Sequence, residues 1–353
     1  MPGSGTSSTL VALALRIADT YAPGDADIVI LDVFTASLDR LKKLAHVRGY
    51  AGPGNTSESR QLQKRVLRYI SAELERRSAH PHDSFAPLFV LIDGFATLRE
   101  GYSDVDDMSL IESFYQVWAK GPAMGIHCVA TTTRLKALPP AISDLTGQKW
   151  LYQLADTSEY HPTVDKDNHP ANLPGRFVST TRAHHGHVGL PDDIDAAVAA
   201  INEFWGVDGL PPLVQEFPKR VGPEQLTNCF ASGNETWQIP VGINEADLNP
   251  YVLEAFAGEH VLVSGPARSG KSTMLAAIHQ MLVQESPNTK ILVGAPRRSP
   301  LHQMLPGVMC PEQLVDVVET QSAAPEPCIV LIDDAHLVAD DSQVLALSLI
   351  HIS

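Results

Sequence analysis

Residues Gly265 to Ser272 read GPARSGKS and fit the spacing G-x-x-x-x-G-K-[ST]. The spacing matters because each residue type has a separate task. Glycines let backbone N–H groups converge on phosphate oxygens, and the helix that follows adds positive potential at its N-terminus. Lys271 has the reach for β- and γ-phosphates, the Ser272 hydroxyl suits Mg²⁺, and Thr273 can support a phosphate. Gly265, Pro266, Ala267, Arg268, Ser269, Gly270, Lys271, Ser272 and Thr273 form the candidate phosphate-binding set. Downstream, IVLIDDA places Asp333 and Asp334 at the end of an apolar run. A carboxylate at the C-terminal end of a parallel strand lies beside such a loop, because ligands bind at that edge of the sheet. Asp333 would then hold Mg²⁺ through water. Asp334 either polarises the attacking water, which with Lys271 makes it a catalytic candidate, or is a solvated carboxylate.

The elements that must position these residues occur twice. In the second copy HVLVSG is an apolar strand before the glycine turn, a helix follows the turn, and TKILVGAP and PCIVLIDDAHLV are further strands. In the first copy PGSGTSSTLVALALRIADTY is turn plus helix, and ADIVILDVF and LFVLIDGFATL are strands. VLID is common to both acidic strands, and Ile28 follows Gly5 at nearly the interval by which Ile291 follows Gly270. Short apolar runs alternating with helical segments imply parallel strands covered on both faces, so the expected fold is α/β. The first copy continues through a basic amphipathic helix (QLQKRVLRYISAELERR), another helix (SLIESFYQVWAKGPAMG), a polar-tipped strand (IHCVATTTR), a short strand (KWLYQLA) and a closing helix near Trp205. The expected division is a first module over 1–205, a Pro/Gly-rich linker over 206–240 and a second module over 241–353. Both modules read as truncated. The first lacks a strand before its loop and the second stops soon after Asp333, so the chain is expected to be a piece of a longer protein or a shortened reading frame.

The copies differ where the chemistry is. Gly5 aligned with Gly270 puts Thr6 at the position of Lys271 and Ser7 at that of Ser272, while Asp93 aligned with Asp333 puts Gly94 at the position of Asp334. Lysine and second acid are lost together, and the Mg²⁺-type residues Ser7 and Asp93 remain. The first copy is expected to bind nucleotide weakly at best and to hydrolyse it poorly. Thr131, Thr132 and Thr133 either sense a γ-phosphate or are ordinary β-branched strand residues. Arg134 and Arg176 are either arginine fingers across a subunit boundary or surface residues. HPTVDKDNHP and RAHHGH are rich in His and Asp without ligand spacing and read as polar loops.

Composition sets outer limits. The net charge of −15 over 353 residues argues against a broadly basic surface for nucleic acid. No apolar run approaches the ~18 residues of a membrane span, and TLVALALRIA lacks the flanks of a signal peptide. The four cysteines form no CxxC pair, and Cys128 and Cys328 read as reduced core residues.

With the tandem copies in view, the chain resembles the EccC ATPases of type VII (ESX) secretion systems, in the FtsK/SpoIIIE superfamily. The stretches that carry the resemblance are IPVGINEADLNPYVLEAFAGEHVLVSGPARSGKSTML, FVLIDGFATLRE, GIHCVATTTR and KWLYQLADTSEY. The resemblance implies tandem RecA-like P-loop NTPase modules with mostly parallel sheets, the first copy matching the second ATPase module and the second copy the third. It implies ATP and Mg²⁺ as cofactors, and a hexameric ring of identical chains. It also implies export of small WxG-type proteins with other type VII secretion membrane components, in the cytoplasm or at the cytoplasmic face of the membrane. Two rival readings remain: an FtsK/SpoIIIE-type DNA translocase, for which DNA would be the partner, and an assembly scaffold that nucleotide merely stabilises.

Overall fold

The computed structural model describes residues 3–335 apart from 55, 103–104, 155, 161–163, 165, 182–183, 208, 223–224, 227–230, 233–235, 257–258 and 323–327. The chain divides into two compact units, Met1–Phe217 and Pro218–Ser353. Cys229 and the segment after Ala335 lie outside the described residues.

Unit 1 runs α1 (Thr6–Thr20), β1 (Asp27–Asp32), β2 (Val47–Ala51), α2 (Ser57–Ala79), β3 (Leu88–Asp93), α3 (Phe95–Gly101), α4 (Val105–Lys120), β4 (Ile126–Ala130), α5 (Pro140–Ser143), β5 (Trp150–Leu151), β6 (Arg176–Ser179), β7 (His185–His187) and α6 (Ile194–Trp205). Four strands form a parallel sheet in the order β2-β1-β3-β4. Successive side chains of a strand point to opposite faces, and both faces are covered. Val29, Leu31, Val90 and Ile92 pack against Val66, Leu67 and Ile70 of α2 and Phe114 and Val117 of α4. Ile28, Ile30 and Leu91 pack against Leu10, Val11, Ala14 and Ile17 of α1 and Val198 of α6. This double burial is why β1 and β3 read as unbroken apolar runs.

Local signals set the helix ends. Thr56 accepts a hydrogen bond from the Ser59 amide at the start of α2, and Asp193 does the same for Ala196 at α6, each satisfying an orphan donor. Near its C-terminus α2 carries buried Arg77, which donates to the carbonyls of Ala86, Met124 and Gly125 and, at 2.7 Å, to Glu73. Burial alone would raise the Glu73 carboxyl, but hydrogen bonds from Arg76 and Arg77 hold it below the ordinary range. Cys128 packs on this core, and burial pushes its thiol up to about 12, so it is an unreactive core residue as expected. Beyond the expected end of the first module, Val214 is buried against the same core and the Leu213 amide donates to the Arg48 carbonyl.

A small antiparallel sheet, β5-β6-β7, completes unit 1. Tyr160 pins it: its hydroxyl donates to the Tyr152 carbonyl and accepts from the Leu154 amide.

Unit 2 contains β8 (Ala231–Ser232), β9 (Thr236–Ile243), β10 (Pro250–Phe256), α7 (Lys271–Glu285), β11 (Lys290–Gly294), α8 (Leu301–Met304), α9 (Pro311–Ser322) and β12 (Cys328–Ile332). β11 and β12 pair in parallel. Val293, Ile329 and Leu331 pack on Ala276, Ile278 and Leu282 of α7, whereas Leu292 and Val330 pack on Leu314 and Val318 of α9. β8, β9 and β10 form an antiparallel sheet, so strands occupy part of the stretch expected to be a linker.

One expectation fails. HVLVSG does not form a strand: residues 259–265 join no ladder, and Val261 and Leu262 are 50% and 86% exposed. An extended segment becomes a strand only when a neighbour takes its N–H and C=O groups. Among the described residues, neither β11 nor β12 takes these, and unit 2 shows no counterpart of β4.

Candidate functional site: two glycine loops and their carboxylates

In unit 2 the glycine loop ends at Gly270, whose φ of 95° and ψ of 6° start α7 from the left-handed region. That conformation is open to glycine at no steric cost. Residues 264–270 are exposed, and no side chain caps the helix, so the loop and the first turn of α7 present backbone donors outward. Lys271 curls back over the loop, its Nζ donating at 3.0 Å to the carbonyls of both Gly265 and Pro266. The ammonium therefore sits at the loop's mouth, on acceptors that a phosphate could replace.

Behind the loop, the Ser272 hydroxyl donates at 2.8 Å to Oδ2 of Asp333, which is only 2% exposed. Ser299, in the loop after β11, donates to the same oxygen at 2.6 Å. Among the described residues, Oδ1 of Asp333 accepts no hydrogen bond. A buried carboxylate with one free oxygen beside a serine hydroxyl is a hard-oxygen donor set, which fits Mg²⁺. Asp334 follows at a φ of 48° and is exposed.

Unit 1 repeats the geometry. Gly5, at φ 102° and ψ 12°, starts α1 as Gly270 starts α7. Ser7 donates to Asp93 at 2.8 and 3.0 Å, and Asp93 is 1% exposed. The two loops, serines and aspartates thus superimpose in role as the alignment anticipates. Asp93, however, carries more partners than Asp333. Ser37 donates to Oδ2 at 3.1 Å and Thr131 to Oδ1 at 2.6 Å. Thr131 also accepts from the Gly94 amide, so it serves as a strut of the carboxylate. The Thr132 hydroxyl donates to the Arg134 carbonyl, and Thr133 and Arg134 are exposed. Arg176 lies in β6, half-buried.

The changed positions have steric consequences. Gly94 has a φ of 89°, and a Cβ there would lie 2.7 Å from Cβ of Phe34. A Cβ on Gly5 would lie 2.5 Å from the Gly175 amide nitrogen, which donates to the Ser4 carbonyl. Pro174 and Gly175 therefore seat directly on the first loop, and a shallow cleft of about 280 Å³ runs between them, Thr6, Ser7, Ser8, Val188 and Leu190. Thr9 meets the Tyr152 hydroxyl, which ties α1 to the small sheet. Asp32, opposite Asp93 in the β1–β3 register, is buried on the Ala36 and Leu38 amides and the Tyr50 hydroxyl. Burial, with help from the Asp93 charge, raises its carboxyl above the ordinary range.

Sequence reasoning missed Asp32, Ser37, Ser299, Tyr152 and Gly175. Aligning VILDVFTAS with ILVGAPRRS would have flagged the two serines. The His/Asp-rich stretches fall partly outside the described residues, and among the described residues no group of three or more His, Cys, Asp or Glu could hold a metal.

No protein-family model matches the chain. The ESX secretion system protein EccC of Thermomonospora curvata is 28% identical over 319 residues, covering 80% of this chain and 23% of the relative. The ESX-1 secretion system protein EccCb1 of Mycobacterium tuberculosis is 25% identical over 344 residues, covering 86% of this chain and 56% of the relative. The chain thus spans little more than half of one and under a quarter of the other. Among solved structures, the cytoplasmic domain of the Thermomonospora curvata type VII secretion ATPase EccC matches at a TM-score of 0.70 and 25% identity, covering 98% of this chain and 46% of that one. Thermomonospora curvata EccC (ATPases 2 and 3) in complex with a signal sequence peptide matches in fold at a TM-score of 0.70 and 24% identity, over 98% of this chain and 71% of that one. The resemblance to EccC and the α/β fold, similar to that of EccC ATPase domains, are both borne out.

Proposed function

We propose that the chain is the tandem-ATPase part of a type VII secretion motor, with an ATP·Mg²⁺ site in unit 2 and an altered site in unit 1. The observation that carries this reading is the convergence of Lys271, Ser272 and buried Asp333 behind an exposed glycine loop, in a chain similar to EccC. The two modules correspond to units 1 and 2, which divide within the stretch 206–240 expected to be a linker.

In this reading the backbone N–H groups of the loop 265–273, Pro266 excepted, hold the phosphates, and Lys271 leaves its two carbonyls for the β- and γ-phosphate oxygens. Ser272 and Asp333 hold Mg²⁺, the aspartate through water. The chemistry Mg²⁺ would supply there, when bound with ATP, is neutralisation of phosphate charge. Asp334, exposed at the sheet's C-terminal edge, orients the attacking water. Unit 1 lacks the cation at Thr6 and the acid at Gly94, and serves as a structural or regulatory module.

The relatives' names, secretion-system proteins and the cytoplasmic domain of a secretion ATPase, support a role in secretion; in this reading the chain works at the cytoplasmic face of the membrane with other secretion components, in a ring of identical chains. In this reading the substrates are small WxG-type proteins. The net charge of −15 weighs against DNA as the cargo.

Calorimetry with ATP and Mg²⁺ tests the site. The chain is expected to bind, and Lys271→Ala to weaken binding at least tenfold; equal affinity in the variant refutes the assignment. In the native gene, Lys271→Ala is expected to abolish export. Normal export, or DNA-stimulated ATPase activity without binding of WxG-type proteins, refutes the motor reading.

A further inference from the structure

Each unit places a further hydroxyl, besides the serine of its glycine loop, on its buried carboxylate. In unit 2 it is Ser299, in the loop after β11, and in unit 1 it is Ser37, in the loop after β1. No motif contains either residue. Ser299 is 7% exposed and has two partners: it accepts from the Leu301 amide at 3.1 Å and donates to Asp333 Oδ2 at 2.6 Å. A serine hydroxyl has a single proton. With an N–H already pointing at the oxygen, that proton is directed to the carboxylate.

We infer that Ser299 is a positioning residue that fixes the orientation of Asp333 for the metal, an inference that rests on the unit 2 site proposed above. Ser272 and Ser299 now share Oδ2. When Ser272 turns its hydroxyl toward a cation, Ser299 alone keeps Oδ2 hydrogen-bonded. Oδ1 then remains the oxygen open to the metal's water. Without Ser299 the carboxylate is free to rotate, or must hold an unpaired oxygen in a buried place, which is costly. Partners of this outer kind typically change metal affinity by 10–100-fold.

The experiment measures metal coupling and needs no turnover. A non-hydrolysable ATP analogue is titrated into the chain by calorimetry, once with Mg²⁺ and once with EDTA, and the ratio of the two dissociation constants is the coupling. Lys271→Ala identifies the part of the signal that belongs to unit 2. Ser299→Ala is expected to cut the coupling about tenfold while the affinity in EDTA stays within twofold, and Ser299→Thr, which restores a hydroxyl, to recover it. Ser299→Cys keeps the volume with a weaker donor, is expected to fall between, and supplies the reading if the alanine variant does not fold. Unchanged coupling in the alanine or cysteine variant overturns the inference. So does an equal loss with and without Mg²⁺, which would mark a purely structural serine. If the unaltered chain binds the analogue without metal dependence, the unit 2 site fails first and the inference falls with it.

Discussion

The sharpest test of the altered unit 1 site is to put the missing acid back. Gly94→Asp restores by sequence what Asp334 provides in unit 2, and geometry says that unit 1 will resist it. Two costs are separable. Position 94 sits at a φ of 89°, where a side chain costs about 1 kcal/mol, less for Asp than for most residues. Asp334 occupies the matching position at 48°, so the left-handed backbone alone is not prohibitive. The second cost is contact: the new Cβ would meet Phe34 Cβ at 2.7 Å, with Cγ at 3.4 Å. The nearer atom is not the far end of a flexible side chain, so backbone must move, at about 1–3 kcal/mol. The expected destabilisation of unit 1 is therefore about 2–4 kcal/mol.

The partner substitution tells the two costs apart. Phe34→Ala removes the ring and keeps the 2.7 Å contact, because alanine retains Cβ. Phe34→Gly removes the contact itself. A double-mutant cycle should give Gly94→Asp a favourable coupling of about 1–2 kcal/mol with Phe34→Gly and close to none with Phe34→Ala. Hydrogen exchange at the amides of β3 reports the opening free energy of this unit directly. Equal rescue by alanine and glycine would refute the contact argument. A Gly94→Asp chain within about 0.5 kcal/mol of the original would refute both costs.

Two further outcomes follow from the same unit. Gly5→Ala puts a Cβ 2.5 Å from the Gly175 nitrogen, so the Gly175–Ser4 hydrogen bond should break and exchange of the Gly175 amide accelerate at least tenfold; unchanged exchange would show that the turn does not bear on the loop. His46 is fully buried, its Nε2 donates to the Tyr21 carbonyl, and burial pushes its imidazole below the usual 6.5. Below about pH 6.5 the unfolded chain binds the proton more readily, so stability should fall with falling pH by up to about 1.4 kcal/mol per unit until the folded-state value is reached. His46→Gln should flatten that slope just below pH 6.5 in urea titrations, and an unchanged slope would assign the acid sensitivity elsewhere.

What was legible in the sequence was local. An apolar run ending in an acid, a glycine that must turn left-handed and a hydroxyl two residues later are contiguous patterns, so Gly5, Ser7 and Asp93 could be matched to Gly270, Ser272 and Asp333 from spacing alone. Ser37 and Ser299 meet their carboxylates across 56 and 34 positions, and Tyr152 meets Thr9 across 143. Those meetings depend on which strands lie side by side. The β9–β10 pair was hidden for another reason. Pro240 interrupts the run TWQIPVGI, and proline reads as punctuation, yet here it sits opposite Val252 where the register shifts, the irregularity at which a sheet tolerates it. Conversely, Val261 and Leu262 have the composition of a strand and form none among the described residues. Apolar content proposes a strand, and only a neighbouring backbone makes one.

The loss of Thr6's cation and Gly94's acid has a physical logic that neither change shows alone. Thr6 for a lysine and Gly94 for an acid take away one positive and one negative group, so the net charge of the site is the same with both changes as with neither. The structure shows what took up the slack. Asp93 is engaged on both oxygens, Oδ1 by Thr131 and Ser7 and Oδ2 by Ser7 and Ser37. It thereby fastens the start of α1, the loop after β1 and the end of β4 to the end of β3. Asp333 is engaged on one oxygen among the described residues. A cation approaching Asp93 must displace hydroxyls from a carboxylate 1% exposed. Each hydrogen bond to a charged group contributes about 1.5–3 kcal/mol, so the metal would have to outbid the fold. At Asp333 the open oxygen imposes no such cost. The same serine–aspartate pair therefore ties segments together in unit 1 and leaves a coordination position available in unit 2.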